Sequence, residues 1–174
     1  MSIIYCERWN DRFSKPINVL TEEEAYARHI AGKLYTAVSR PVSDSPARRA
    51  VEIRLEVGCT RVYFYDSDGR IEITYTFGRR EERMFLEGVT ACTYEKDGVF
   101  LRENQASRVE IDSYNEDGSG LRIVRDEKND ECYMQELQLA PDGTLDDFWE
   151  DVPRFGEYDS IARAVRSQPP APFV

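Results

Sequence analysis

Apolar and polar positions change period several times along the chain, and each change predicts an element. Ser2 to Arg8 reads as a strand, with Trp9 and Phe13 as apolar anchors just after it and Pro16 interrupting. A helix is predicted from Thr21. Thr21-Glu22-Glu23-Glu24 is a capping box, in which the threonine oxygen accepts from the third backbone N–H and Glu24 reaches back to the cap. Three acids in the first turn also suit the helix dipole. Tyr26, Ile30 and Leu34, flanked by Ala27, Ala31 and Val38, mark one helical face, so the helix is expected to run to about Val38 despite Gly32.

After a Pro- and Ser-containing loop from Arg40 to Arg49, the period drops from about 3.6 residues to about 2. Val51, Ile53, Leu55 and Val57 alternate with Glu52, Arg54 and Glu56, as expected of an antiparallel strand with one wet face. A turn then repeats: Tyr65-Asp66-Ser67-Asp68-Gly69, Tyr94-Glu95-Lys96-Asp97-Gly98 and Tyr114-Asn115-Glu116-Asp117-Gly118, with a looser copy at Pro141-Asp142-Gly143. Asp-Gly supplies the left-handed conformations that tight hairpins require. The flanking runs predict hairpins of Arg61–Tyr65 with Ile71–Phe77, Thr90–Tyr94 with Val99–Arg102, and Val109–Ser113 with Leu121–Val124. Glu131 to Leu139 adds a strand, and Tyr158, Ile161, Ala162 and Val165 predict a C-terminal helix.

The first turn copy, continued by Arg70 and Ile71, resembles the YD repeats of large shell-forming bacterial toxin proteins. The likeness covers about a dozen residues, and the other copies lack the Gly-Arg-aliphatic continuation, so it assigns no family.

The fold class expected is α+β: a twisted antiparallel meander of about seven to nine strands, curling toward a barrel, with an N-terminal and a C-terminal helix. Residues 1–167 are expected to form one domain, followed by a Pro-rich tail over 168–174. No apolar run reaches the length of a membrane-spanning helix, and the N-terminus lacks the pattern of a signal peptide, so a cytoplasmic location is expected. Cys6, Cys59, Cys92 and Cys132 are widely spaced and are expected to be reduced, buried thiols, with no metal bound.

Charge changes the picture most. The chain carries a net −10, but from Val109 to Asp159 sixteen acidic residues face only Arg122, Arg125, Lys128 and Arg154, a local net of −12. The remainder is +2. Such a region repels nucleic acid and attracts basic protein surfaces. Asp142, Asp146, Asp147, Glu150 and Asp151, interleaved with Phe148 and Trp149, are therefore the candidate partner-binding residues, because aromatic anchors dominate interface energetics.

Other chemistry is weakly signalled. The single histidine, His29, sits in the predicted helix without an evident partner. Asp66-x-Asp68-Gly69 opens like a calcium loop, but Tyr75 stands where the closing glutamate belongs. Arg166-Ser167-Gln168-Pro169-Pro170-Ala171-Pro172 has the spacing of an SH3 ligand. The leading expectation is a non-enzymatic binder that sequesters a basic protein, of the toxin-immunity or phage or plasmid inhibitor type, without cofactor. The alternatives are a small-molecule carrier with a lipocalin-like cavity, and a hydrolase or isomerase working with carboxylates alone.

Overall fold

The computed structural model describes residues 3–39, 49–54, 58–138, 144–163 and 166. Strands β1 (Ile3–Asn10) and β2 (Lys15–Leu20) precede helix α1 (Glu22–Ile30). They are followed by β3 (Tyr35–Ser39), β4 (Arg49–Arg54), β5 (Cys59–Tyr65), β6 (Ile71–Arg80) and β7 (Arg83–Thr93). β8 (Arg108–Tyr114), β9 (Ser119–Asp126), β10 (Glu131–Gln138) and the short β11 (Trp149–Asp151) complete the series. All belong to one antiparallel sheet in the order β10-β9-β8-β7-β6-β5-β4-β3-β1-β2, with β11 on β7. The meander is as expected. It is larger than expected, and it stays open rather than closing into a barrel.

β7 is long enough to take two neighbours on one side. β8 pairs with Gly88 to Thr93, and β11 pairs with Arg83 to Phe85. One sheet face carries the core: Val62 lies opposite Tyr75, and Tyr75 opposite Val89. Phe148, Tyr158, Ile161 and Ala162 of the C-terminal segment pack into the same cluster. Continued across β8 and β9, that row turns polar. Asp112 is buried there and accepts from both Nε and Nη2 of Arg122 at 2.7 Å.

The capping box forms as the sequence requires, with Glu24 N–H donating to Thr21 Oγ1 at 3.2 Å. The helix, however, ends at Ile30 and not near Val38. Gly32 adopts φ +63°, and Lys33 N–H closes back on Arg28 O at 2.9 Å, so the glycine ends the helix instead of merely weakening it. Tyr-Thr-Ala-Val-Ser then goes to the sheet, where its β-branched and aromatic side chains bury between β1 and β4. The expected helical face is inverted accordingly. Ala25 is buried, whereas Tyr26 and Ile30 are exposed.

Two further expectations are corrected. Val99–Arg102 is not a strand: β7 pairs with β8 across the connection 94–107, and a 3-10 turn at Glu103–Gln105 lies within it. Nor do the described residues from Tyr158 onward make a helix. They form turns, with one helix-like bond from Ala162 N–H to Tyr158 O at 2.9 Å. Pinned apolar side chains, rather than a helical ladder, fix this segment. Phe155, for example, stacks on Tyr5 with ring centroids 5.1 Å apart. The four cysteines are free thiols, but Cys132 is exposed on β10 and Cys59 is only half-buried. The Pro141-Asp142-Gly143 turn, the end of the strand at Leu55 and Val57, and the Pro-rich tail lie outside the described residues.

The Asp-Gly turns carry the conformations expected of them. φ is +76° at Gly69, +71° at Gly98 and +82° at Gly118. Gly69→Val forces a β-branched residue into the left-handed region and should cost about 1–3 kcal/mol, measured by denaturant unfolding. A midpoint equal to the parent's would show that the turn relaxes into another type.

The first two turns also lock together through Arg70, which is only 5% exposed. Its Nε donates to Asp66 Oδ2 at 2.6 Å, Nη2 pairs with Asp68 Oδ2 at 3.1 Å, and Nη1 donates to Lys96 O across to the second turn. Gly98 N–H returns a bond to Asp68 Oδ2 at 2.9 Å, and the guanidinium lies over the Tyr94 ring. The Gly-Arg continuation that sets the first copy apart thus supplies the clasp for the second. It also ties the connection 94–107 to the first turn.

Candidate functional site

The candidate residues fall on a 3-10 turn (Thr144–Phe148) and on β11, and the fold divides them sharply. Phe148 is 2% exposed, with its ring 4.8 Å from Tyr114 in an edge-to-face contact and 6.3 Å from Phe85. It is core. Glu150 is also buried, and its Oε1 accepts from Arg166 Nη1 at 2.7 Å and lies 3.0 Å from Arg163 Nε. Asp147 pairs with Arg163 at 3.5 Å, and its carbonyl accepts from both arginines. Asp146 and Asp151 remain exposed, Trp149 is half-buried, and Asp142 lies outside the described residues.

Strand geometry explains the sorting. Along β11 successive side chains point to opposite faces, so Glu150 is carried inward while Trp149 and Asp151 point out. Trp149 rests on Phe85 at 5.0 Å and carries the Arg83 guanidinium at 5.3 Å. It borders a groove shared with Arg79, Arg80, Glu81, Glu82 and Glu116. The surroundings of the tryptophan are therefore mixed in charge, not uniformly acidic.

Arg166 organises the segment. Its guanidinium lies 4.9 Å from the Phe77 ring centre and 5.4 Å from that of Tyr75, and Nη2 donates to Ile161 O at 2.9 Å. Burial pulls its pKa down, while Glu150 holds it charged. The same residue opens the SH3-like spacing, and in the fold it is bound inside rather than presented. Sequence reasoning missed this role because an arginine beside a Pro-rich tail carries no sign of its buried partner.

The acidity that remains outside is broader than the candidate patch. Asp130, Glu131, Glu136, Asp146, Asp151, Glu157 and Asp159 are exposed and make no ion pair among the described residues. Arg122, Arg163 and Arg166 are meanwhile bound to internal carboxylates. Glu157 and Asp159 were legible only as members of the acidic third. No cluster of potential metal ligands occurs among the described residues.

His29 has a structural setting. Its Nδ1 lies 3.0 Å from Tyr35 Oη, which lies 3.0 Å from Tyr158 Oη, and burial lowers the imidazole pKa. The contact ties α1 to the sheet and to the C-terminal segment.

Compared with known proteins, the chain matches no family model, no curated protein and no solved structure. No helix among the described residues is long and apolar enough to cross a membrane.

Proposed function

We propose that this chain is a non-enzymatic binding protein that captures and neutralises a basic protein, in the manner of a toxin-immunity protein or a phage or plasmid inhibitor. The observation that carries the reading is the uneven fate of charge in the C-terminal third. Arg122, Arg163 and Arg166 are bound to the internal carboxylates Asp112 and Glu150, while Glu131, Glu136, Asp146, Asp151, Glu157 and Asp159 stay in water without a counter-ion among the described residues and outnumber the exposed Arg125, Lys128 and Arg154. A surface of that kind raises the local concentration of a basic partner and speeds encounter. Asp146, Asp151 and the half-buried Trp149 are the members of the candidate patch able to touch it; Phe148 and Glu150 support them from beneath. The carrier alternative in its lipocalin-like form, with a ligand held against the core face of the sheet, has less support. The cavity between the core face and the C-terminal segment, lined by Tyr75, Asp112, Tyr114, Phe148 and Arg166 among others, has a volume of about 110 Å³. Small-molecule sites usually occupy about 300–1,000 Å³.

The test reverses Asp146, Asp151, Glu157 and Asp159 to lysine together. All four are exposed, so each change should alter stability by no more than about 0.5 kcal/mol. Wild-type protein should retain a basic protein at low salt, and the variant should lose it. Retention of the same protein by both would remove the acidic segment from the site.

A further inference from the structure

On the sheet face away from the main core, the end of β1, the β1–β2 turn and the connection 100–103 enclose a groove of about 420 Å³. We infer that this groove binds a small organic anion whose flat ring carries N–H donors, a ligand of the nucleoside monophosphate class. Three features of its lining carry the inference.

The first is cationic. Arg8, Arg12 and Arg102 line the groove and are exposed, and no carboxylate pairs with them among the described residues. Elsewhere Arg28, Arg70, Arg80, Arg108, Arg122, Arg163 and Arg166 each hold a carboxylate partner, and Arg79, Arg83 and Arg154, which hold none among the described residues, are not gathered three to a groove with an apolar floor. In a chain of net charge −10, three guanidiniums without an ion pair among the described residues, set against the two carboxylates of Asp11 and Glu103, leave this groove with a net positive lining that suits an anion. Their planar forks match phosphate oxygens.

The second is apolar. Trp9, Ile71, Phe100 and Leu101 line the same groove, offering a floor to a ring. Trp9 is held by the small cluster around Val38 and Tyr65, so the indole is fixed before any ligand arrives.

The third is an acceptor. Asp11 and Glu103 also line the groove, but Asp11 Oδ1 already accepts from Tyr65 Oη at 2.6 Å. Glu103 is exposed at the groove mouth, and desolvation first, then Asp11, push its carboxyl up from the usual carboxylate range, with Arg61 opposing them. A carboxylate so placed gains from an N–H donor, and the Watson–Crick edge of guanine offers two. The lining thus suits a phosphate at one end and a ring edge at the other. This site lies apart from the acidic segment, and the Arg70 clasp holds the connection that forms its wall.

Titration of the full chain with GMP, followed by Trp fluorescence and calorimetry, tests the inference, with guanosine and inorganic phosphate as separate arms. Saturable GMP binding, at least about tenfold tighter than either fragment, is expected. The Arg8→Gln/Arg102→Gln variant should lose about tenfold or more for GMP and little for guanosine, and Glu103→Gln should narrow the preference for GMP over AMP. Arg79→Gln, in the other groove, should change nothing. Absence of saturable GMP binding, or equal binding by the arginine variant with its thermal melt intact, would overturn the site and leave the arginines a solvated rim. Equal affinity for inorganic phosphate would overturn the role given to the ring. Retention of a basic protein by the acidic segment is independent of every one of these outcomes.

Discussion

Truncation of Phe148 to alanine is expected to lower stability by about 3–5 kcal/mol, the range for deleting a buried aromatic ring. The ring is 2% exposed and bridges Tyr114 of β8 and Phe85 of β7, so its loss opens a cavity at the place where β11 replaces β8 beside β7. Equilibrium unfolding in urea measures the effect. A loss below about 1 kcal/mol would mean that the C-terminal segment is not fastened through this residue. Trp149→Ala, by contrast, removes a half-buried ring beside Arg83 and should cost less stability. It is the better probe of binding, because it alters what a partner meets more than what holds the fold.

The second large effect belongs to Arg70. Arg70→Ala leaves Asp66 and Asp68 without their cation and frees the carbonyl of Lys96, so a loss of about 2–4 kcal/mol is expected. This is less than for a fully buried pair, because the two carboxylates retain 18% and 22% exposure. Adding Asp68→Asn should recover part of the loss, since one uncompensated charge is removed; no recovery would show that packing on Tyr94, not charge, is what Arg70 supplies. Backbone amide exchange should also quicken over 94–107 in Arg70→Ala, because the clasp is what ties that connection to the first turn.

These two residues mark the reach and the limit of the sequence. Local signals were legible where the physics is local. The capping box at Thr21 and the left-handed glycines of the turns depend on residues within a few positions of one another, and they form as read. Long-range choices were not legible. Tyr35–Ser39 fits a helical face as well as a strand, and only the open places beside β1 and β4 decide for the strand. Val99–Arg102 has a strand-like pattern, but Arg70, 26 residues before Lys96, holds the turn at Lys96 to another loop. The C-terminal segment shows helical spacing, yet Arg166 and Phe155 pin it as turns.

The candidate site divides along the same line. Charge density in the C-terminal third is a property of composition and was visible at once. Which acids face water was not, because Glu150 differs from Asp151 only in the sheet face its strand assigns to it. The Arg-lined groove was invisible for a stronger reason: Arg8, Arg12 and Arg102 come from chain segments that meet only in the fold.

The central claim is that exposed carboxylates steer a basic partner onto this protein, and the salt dependence of association tests it most directly. The screening length shrinks from about 10 Å at 0.1 M salt to about 3 Å at 1 M, so long-range attraction fades over that interval while short-range contacts persist. With the retained partner in hand, the association rate constant should fall by about tenfold or more between those salts, and the dissociation rate should change far less. The variant reversed at Asp146, Asp151, Glu157 and Asp159 should associate slowly at both. Equal association rates at the two salts, unaffected by the four reversals, would contradict the account and leave the acidic segment as a solvated face.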